Sequence, residues 1–167
     1  MRQEGLLCTK FKTRSRKYSS YKRQIGKVAP NIVNRKFKAK KPNQLWLTDV
    51  TEFRIKGYEQ RLYLSAILDV YNSEIISYTI SHHSTIKLTN TMLEKATKRV
   101  EESDRLVIHL DQGFHYQHSS WSNKLKKLNI RQSMSRKGNC LDNSPMENFF
   151  GILKQEMYYG VEFKNYE

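Results

Sequence analysis

Three segments rich in β-branched and aromatic residues follow one another in the first half of the chain, and each predicts a strand. They cover residues 45–53, 62–69 and 75–80. Lys56 and Gly57 mark a turn between the first two, and residues 70–74 join the second to the third. Because short connections favour antiparallel neighbours, the pattern predicts a three-stranded antiparallel meander.

The second half of the chain alternates between helical and strand patterns. Helices are predicted at 85–100, 119–128 and 144–157. The first has Ser84 as its N-cap and an apolar side formed by Ile86, Met92, Leu93 and Ala96. The second has an apolar stripe formed by Trp121, Leu125 and Leu128. Strands are predicted at 106–111 and 130–134, and a polar loop at 136–143. The whole pattern predicts an α/β fold with a mixed five-stranded sheet flanked by helices.

Positive charge is concentrated at the start of the chain. The 167 residues carry a net charge of +14, and residues 1–44 hold 14 of the 30 Lys and Arg residues against a single acid, Glu4. Aromatic residues are interleaved with these cations, which is typical of a segment that neutralises phosphates, although a solvated tail without a specific partner has the same composition. The charge therefore indicates an anionic partner, nucleic acid before a membrane surface. Pro42 favours a boundary near residues 40–43.

The sequence lacks the residues that several other classes of function require. Two cysteines, Cys8 and Cys140, are too few for a disulfide framework or a cysteine zinc cluster, and they favour the reducing cytoplasm. No apolar run is long enough to span a membrane, and no P-loop or dinucleotide fingerprint is present. His115 and His118 have a spacing that could bind zinc, but no second pair of ligands accompanies them.

Three acidic residues occupy positions from which they could act together. Asp49 interrupts an apolar strand and shares a strand face with Leu45 and Leu47, while Asp111 ends the fourth strand. Each has an ordinary structural explanation: a strand-edge carboxylate for Asp49, and a turn formed with Gly113 for Asp111. Glu147 completes the S-x-x-E pattern of a capping box with Ser144. Together, however, three carboxylates can hold the pair of Mg²⁺ or Mn²⁺ ions that phosphodiester cleavage uses.

The segments around these acids resemble the DDE transposases of bacterial insertion sequences, a branch of the retroviral-integrase core superfamily. The order Asp49, Asp111, Glu147 matches the DDE triad, with 35 residues between the last two. The three matching blocks are WLTDVT at 46–51, HLDQG at 109–113 followed by Tyr116, and GNCLDNSPMENFF at 138–150 followed by Leu153 and Lys154. The resemblance covers about residues 38–167, and Leu110 departs from it, since the family usually has Ser there.

This resemblance implies an RNase H-like fold and DNA strand cleavage followed by strand transfer, the chemistry of transposition. It implies that Asp49, Asp111 and Glu147 are catalytic residues that bind two Mg²⁺ or Mn²⁺ ions. Lys154, one heptad after Glu147, matches the basic residue of the family and is expected to contact a DNA phosphate. Weaker candidates for DNA contacts are Gln112, Arg136, Lys137 and Asn148.

The resemblance also bears on the organisation of the chain. Family members have a helical DNA-recognition region before the position of Met1 and a closing segment after position 167, so the chain is expected to be truncated at both ends. Residues 1–37 are then a basic arm left from that region, and residues 38–167 a C-terminally truncated catalytic core. The expected partners are element-end and target DNA and further copies of the chain, in the bacterial cytoplasm at the nucleoid.

Two alternatives to an active transposase are open at this point. The first is a catalytically inactive DNA-binding remnant of a transposase, and the second is an RNase H-like nuclease that acts on RNA–DNA hybrids. The third block, at 138–150, favours the transposase over the hybrid nuclease.

Overall fold

A five-stranded mixed sheet forms the centre of the molecule. The computed structural model describes residues 26–55, 57–101 and 105–163. The strands are β1 (Leu45–Arg54), β2 (Arg61–Asp69), β3 (Ile75–Ser81), β4 (Val107–Leu110) and β5 (Arg131–Met134), and their order across the sheet is β3-β2-β1-β4-β5. β1, β2 and β3 are antiparallel neighbours, whereas β4 is parallel to β1 and β5 is parallel to β4. The predicted meander and mixed sheet are confirmed.

Helices cover both faces of this sheet. The α-helices are α1 (Ile86–Ala96), α2 (Phe114–Gln117), α3 (Ser119–Lys127) and α4 (Ser144–Met157). Because side chains alternate along β1, Trp46 packs with Met92 of α1 and Trp121 of α3, while Leu45 and Leu47 belong to the cluster of Met146 and Phe150 of α4. The sheet is thus a layer between α1–α3 on one side and α4 on the other. No helix among the described residues is long and apolar enough to cross a membrane.

The predicted start of the first helix is wrong by one residue. Thr85, not Ser84, is the N-cap of α1, and its side chain makes no capping hydrogen bond. The Ser84 hydroxyl instead lies 2.9 Å from Nε2 of His115, so a contact with α2 replaces the local cap. The helix ends at Ala96, and Thr97–Arg99 continue it as a 3₁₀ turn rather than as the predicted α-helix to residue 100.

Two further expectations about the helices require correction. The sequence predicted no helix at Phe114–Gln117, where the structure has the short α2. The stripe on α3 buries Trp121 and Leu125 but leaves Leu128 45% exposed, because α3 ends at Lys127 and Leu128 lies past its last turn.

The first described residues lie against the core. Val33 is buried in the same cluster as Leu45 and Met146, and the carbonyl of Pro30 accepts a hydrogen bond from the Met134 backbone N–H. Residues 1–25 of the predicted arm lie outside the described residues, and the division at residue 37 stays a prediction. Within the described part, Gly26 and Ala29 lie on the α1–α3 side of the sheet, and Val33, Phe37 and Ala39 pack on the α4 side.

Candidate functional site

Asp49 is the fifth residue of β1, on the central strand of the sheet. It is half-buried and lies on the face of β1 that carries Leu45 and Leu47, as its strand position predicts. Its Oδ1 accepts a hydrogen bond from its neighbour's backbone, Val50 N–H, at 2.7 Å. The carboxylate is therefore held on the α4 side of the sheet.

Asp111 follows β4 directly, beside Asp49. Leu47 of β1 pairs with His109 of β4, and continuing this parallel register by two residues sets Asp49 opposite Asp111. Neighbouring strands are about 4.8 Å apart, so the two carboxylates start from adjacent backbone positions on the same face. Asp111 Oδ1 accepts from Gly113 N–H at 2.8 Å, and a Cβ at residue 113 would lie 2.9 Å from that oxygen. Glycine at 113 thus leaves room for the carboxylate.

Glu147 lies in the first turn of α4, but it takes no part in a helix cap. The predicted capping box is wrong: the N-cap is Asn143, no side chain makes a capping hydrogen bond, and Ser144 is already the first helical residue. The Asn143 amide instead donates to the carbonyl of Thr48 at 3.3 Å. This contact ties the start of α4 to the residue before Asp49, and the exposed Glu147 carboxylate is not used for capping.

The three carboxylates interact electrostatically. Burial raises the pKa of Asp49 well above its usual value, and the negative charges of Asp111 and Glu147 raise it further, while Lys154 and the Val50 N–H lower it. Burial also raises the pKa of Asp111, while the Gly113 N–H lowers it, and the pKa of Glu147 is raised by partial burial and by the charge of Asp111. The charges of Asp111 and Glu147 thus act on Asp49, the charge of Asp111 acts on Glu147, and all three carboxyl groups have pKa values above their usual values.

A buried tyrosine lies beneath this group. Tyr116 is 1% exposed, and its hydroxyl lies 3.3 Å from that of Thr48. Burial raises the pKa of the phenol well above its usual value, and the charges of Asp49 and Asp111 act in the same direction. The phenol is therefore neutral at physiological pH and adds no charge to the site.

The predicted DNA-contacting residues fall into two groups. Lys154 is close to the triad, since its charge acts on Asp49 and its Nζ lies 5.3 Å from the centroid of the Phe53 ring. Gln112 donates its side-chain amide to the carbonyl of Ser135 at 3.0 Å. Arg136 is bound to Asp142, whereas Lys137 and Asn148 are exposed. Of the five, Lys154 is the one whose charge acts on a triad carboxylate.

A buried polar network next to the triad was not predicted from the sequence. His109, on β4, is fully buried, and its Nε2 lies 2.7 Å from the carbonyl of Asp142. Since a carbonyl only accepts, Nε2 carries the proton, and Nδ1 accepts from the Ser133 hydroxyl at 2.8 Å. Burial lowers the pKa of His109, in keeping with a neutral ring. The network links β4, β5 and the turn before α4.

Asp142 is the centre of this network. Its carboxylate is fully buried and accepts from Asn31 Nδ2 at 3.1 Å, from Arg35 Nε at 2.7 Å, and from the Arg136 backbone and guanidinium at 2.9 to 3.0 Å. The Arg136 guanidinium above all, with Arg35, holds the pKa of Asp142 far below its usual value. The only sequence signal for this role was the position of Asp142 within the third matching block.

Neither histidine of the zinc spacing is positioned as a metal ligand. His115 Nε2 is next to the Ser84 hydroxyl, and His118 accepts from the Ser120 N–H as the N-cap of α3. Among residues 26–55, 57–101 and 105–163, no three His, Cys, Asp or Glu side chains approach closely enough to hold one metal ion. The triad carboxylates therefore interact by charge in this structure without sharing a common ligand position.

Residues 39–140 match the integrase core domain family. Over 161 residues the chain is 45% identical to InsK of Escherichia coli K12, a putative transposase for insertion sequence element IS150, and the match spans 96% of this chain and 56% of InsK. A transposase-like protein of Haemophilus influenzae is 45% identical over 158 residues, which are 95% of this chain and 72% of that protein. The chain thus spans little more than half of InsK's length.

Solved integrases share the fold. The integrase catalytic core domain of HTLV-2, determined in complex with magnesium, superposes with a TM-score of 0.56 at 20% identity, covering 70% of each chain. The intasome of simian T-cell lymphotropic virus matches with a TM-score of 0.59 at 20% identity over 84% of this chain and 45% of the viral chain. The RNase H-like fold expected from the sequence is confirmed.

Proposed function

The chain belongs to the integrase core domain family, among the transposases of bacterial insertion sequences, and from this premise we propose that it catalyses metal-dependent DNA strand cleavage and strand transfer. The observation that carries the proposal is the placement of Asp49 opposite Asp111 in the strand register, with Glu147 in the first turn of α4 and its charge acting on Asp49. Neighbouring negative charges repel one another and destabilise the folded protein, and a bound cation offsets this repulsion.

The proposed cofactor is a pair of Mg²⁺ or Mn²⁺ ions held by the three carboxylates. The donor set fits, because hard divalent cations prefer carboxylate oxygens and these three have raised pKa values, those of Asp49 and Glu147 in part through neighbouring carboxylates. The backbone N–H groups of Val50 and Gly113 orient the two aspartates. When bound, such ions make an attacking water or 3′-hydroxyl more acidic and stabilise the leaving oxygen.

The protein's own side chains would position the DNA. Lys154 lies seven residues after Glu147, about 10 Å along the same face of α4, where its ammonium group can bind a phosphate beside the carboxylates. Lys137 and Asn148 are exposed near the start of α4 and can contact the strand that enters. Arg136 and Gln112 keep the loop in place through Asp142 and Ser135, and we propose that their DNA contacts are secondary.

The proposed partners are DNA and further copies of the chain. Strand transfer joins two element ends to one target, which calls for more than one active site in the working complex. The HTLV-2 integrase core, similar in fold, has been determined in dimeric and trimeric forms. Since the proposed substrate is chromosomal DNA, we propose that the chain acts at the bacterial nucleoid.

Nicking of DNA that carries the ends of the encoding element tests the proposal. With Mg²⁺ or Mn²⁺ the wild-type chain is expected to nick, and Asp49→Asn and Glu147→Gln are each expected to lower the rate by at least about 10³-fold, since each removes a proposed metal ligand. Glu94→Gln is the matched control, because Glu94 is exposed on α1 and pairs with Lys124. Nicking that survives either site substitution contradicts the assigned roles, and DNA binding without any metal-dependent nicking supports an inactive DNA-binding protein.

A further inference from the structure

A cationic groove opens at the end of the sheet remote from the carboxylates. It has a volume of about 460 Å³, and five of its lining residues are basic whereas none is acidic. Three of the basic residues, Lys36, Lys38 and Lys41, precede β1. Arg105 lies two residues before β4, and Arg131 is the first residue of β5. Apolar side chains, Val33 and Leu45 among them, line much of the remainder.

The strand register separates this groove from the triad. Leu45, Val107 and Arg131 are aligned across β1, β4 and β5 at their amino-terminal ends. Asp111 lies four residues after Val107 at the opposite ends of the strands, about 13 Å away at 3.3 Å per residue. The groove is therefore a second surface and not an extension of the carboxylate site.

The segment that carries the lysines is fixed to the core. The backbone N–H groups of Ile32 and Val33 donate to the Ser133 hydroxyl at 2.9 and 3.3 Å, and Asn31 and Arg35 bind the Asp142 carboxylate. These hydrogen bonds anchor the segment on both sides of the buried Val33.

A reversal of the backbone then turns the chain toward the groove. Asn34 and Arg35 both adopt left-handed conformations, with φ of 46° and 62°, and Lys36 N–H closes the turn onto the Val33 carbonyl at 2.9 Å. Two consecutive non-glycine residues in this region are costly unless tertiary contacts hold them. Lys36 and Lys38 are thus placed over the strand ends by a defined structure.

Four cations of this groove are outside the ion pairs of the described structure. The ion pairs between residues of 26–55, 57–101 and 105–163 involve other basic residues, and none of them includes Lys36, Lys38, Arg105 or Arg131. All four are exposed. Several like charges around one concavity concentrate a positive potential that a polyanion would relieve.

We propose that this groove binds the phosphate backbone of DNA, as a second DNA-binding site of the proposed transposase. The basic residues contact successive phosphates, and the apolar floor formed by Val33 and Leu45 faces the sugars. Because no carboxylate takes part, binding here needs no metal. The groove holds DNA at the far end of the sheet while another segment of DNA occupies the carboxylate site. The second half of this proposal rests on the proposed function.

The test is the salt dependence of DNA binding by the full chain, measured by fluorescence anisotropy with an element-end duplex in EDTA. The variant Lys36→Gln/Lys38→Gln/Arg131→Gln is compared with Lys87→Gln/Lys95→Gln/Lys98→Gln, a matched removal of three charges on and just after α1. The slope of log K against log salt is negative, and each phosphate that a variant no longer neutralises lowers the magnitude of this slope by about 0.9. We expect a decrease of about 2 to 3 for the groove variant and of less than about 1 for the control.

Equal slopes and affinities for the two triple variants would overturn the proposal. Thermal unfolding by circular dichroism checks that both are folded, and Arg105→Gln alone, expected to lower the magnitude of the slope by about 0.9, replaces the triple variant if that does not fold. The two experiments test the two proposals independently. DNA binding in EDTA does not depend on the triad, so nicking that survives Asp49→Asn would contradict the proposed function without changing the result for the groove. If the groove variant binds like the wild type while Asp49→Asn abolishes nicking, only the groove assignment fails.

Discussion

At the scale of single residues, the ionised Asp49 carboxylate lowers the stability of the folded protein, and the proposed metal binding explains why it is there. A carboxylate on a central strand, with Asp111 and Glu147 acting on it, has a pKa raised well above its usual value. The unfolded chain then releases this proton more readily than the folded one, so the folded state loses stability as the pH rises above about 3.9. At neutral pH the site is destabilising until a cation binds.

Replacing this carboxylate should stabilise the metal-free protein. We expect Asp49→Asn to add about 1 kcal/mol at pH 7, or roughly 2–4 °C in Tm, and to have no advantage below about pH 4, where the wild-type group is protonated. Millimolar Mg²⁺ or Mn²⁺ should raise the Tm of the wild type and leave that of the variant almost unchanged. Differential scanning fluorimetry in EDTA and in metal measures both effects.

Glu94→Gln is the control for this comparison, because Glu94 is exposed on α1 and pairs with Lys124 away from the triad. The control should follow the wild type in both buffers. An Asp49→Asn variant that is less stable than the wild type in EDTA would contradict the account of charge repulsion.

At the scale of elements, strands were predictable where their pattern is local. The β-branched and aromatic residues of 45–53 indicated β1, and strand geometry then placed Asp49 on the face of Leu45 and Leu47, because neighbouring side chains on a strand point to opposite faces. The capping box at Ser144 was equally local and is absent. There a tertiary contact, from Asn143 to the Thr48 carbonyl, decides where α4 begins.

The loop at 136–143 shows what sequence reasoning could not reach. Its polar composition indicated a solvated connection, yet Asp142 is fully buried. Its partners Asn31 and Arg35 lie 111 and 107 residues earlier in the chain, and no periodicity or spacing links positions so distant. The residues of the triad were singled out by their positions in the sequence and matched to a family by resemblance, whereas the network around Asp142 required the fold.

Removing the charge of Asp142 should destabilise the protein in a pH-dependent way. The arginines keep its pKa low, so its contribution is present above about pH 3.9 and is lost as the pH falls below that value. We expect Asp142→Asn to cost about 2 kcal/mol at pH 7, at the low end for a buried charged partner because Arg35 and Arg136 are 43% and 55% exposed.

Urea unfolding at pH 7 and at lower pH measures this difference, which should shrink as the wild-type carboxylate becomes protonated. Glu74→Gln is the control, since Glu74 and Arg99 form an exposed pair expected to contribute less than about 0.5 kcal/mol. A cost for Asp142→Asn that is the same at every pH would contradict the ion-pair explanation and leave only packing.

At the scale of the whole molecule, charge and packing divide the chain differently. The concentration of Lys and Arg in residues 1–44 predicted a basic arm, and the family resemblance placed the start of the catalytic core at residue 38. Net charge carries no information about burial, and Val33, within the predicted arm, is only 7% exposed. Residues 31–35 also supply partners to Ser133 and Asp142, so part of the basic segment is bound to the elements that carry the triad.

Two truncations separate these descriptions. A chain that lacks residues 1–37 should have a free energy of unfolding about 4 kcal/mol lower than one that lacks residues 1–25, because it no longer buries Val33 and leaves the Asp142 carboxylate without Asn31 and Arg35. Urea unfolding measures the difference in the free energy of unfolding. Val33→Ala in the chain that lacks only residues 1–25 should account for about half of it. Equal stability of the two truncated chains would mean that the core begins at residue 38, as the resemblance to the transposase family predicts.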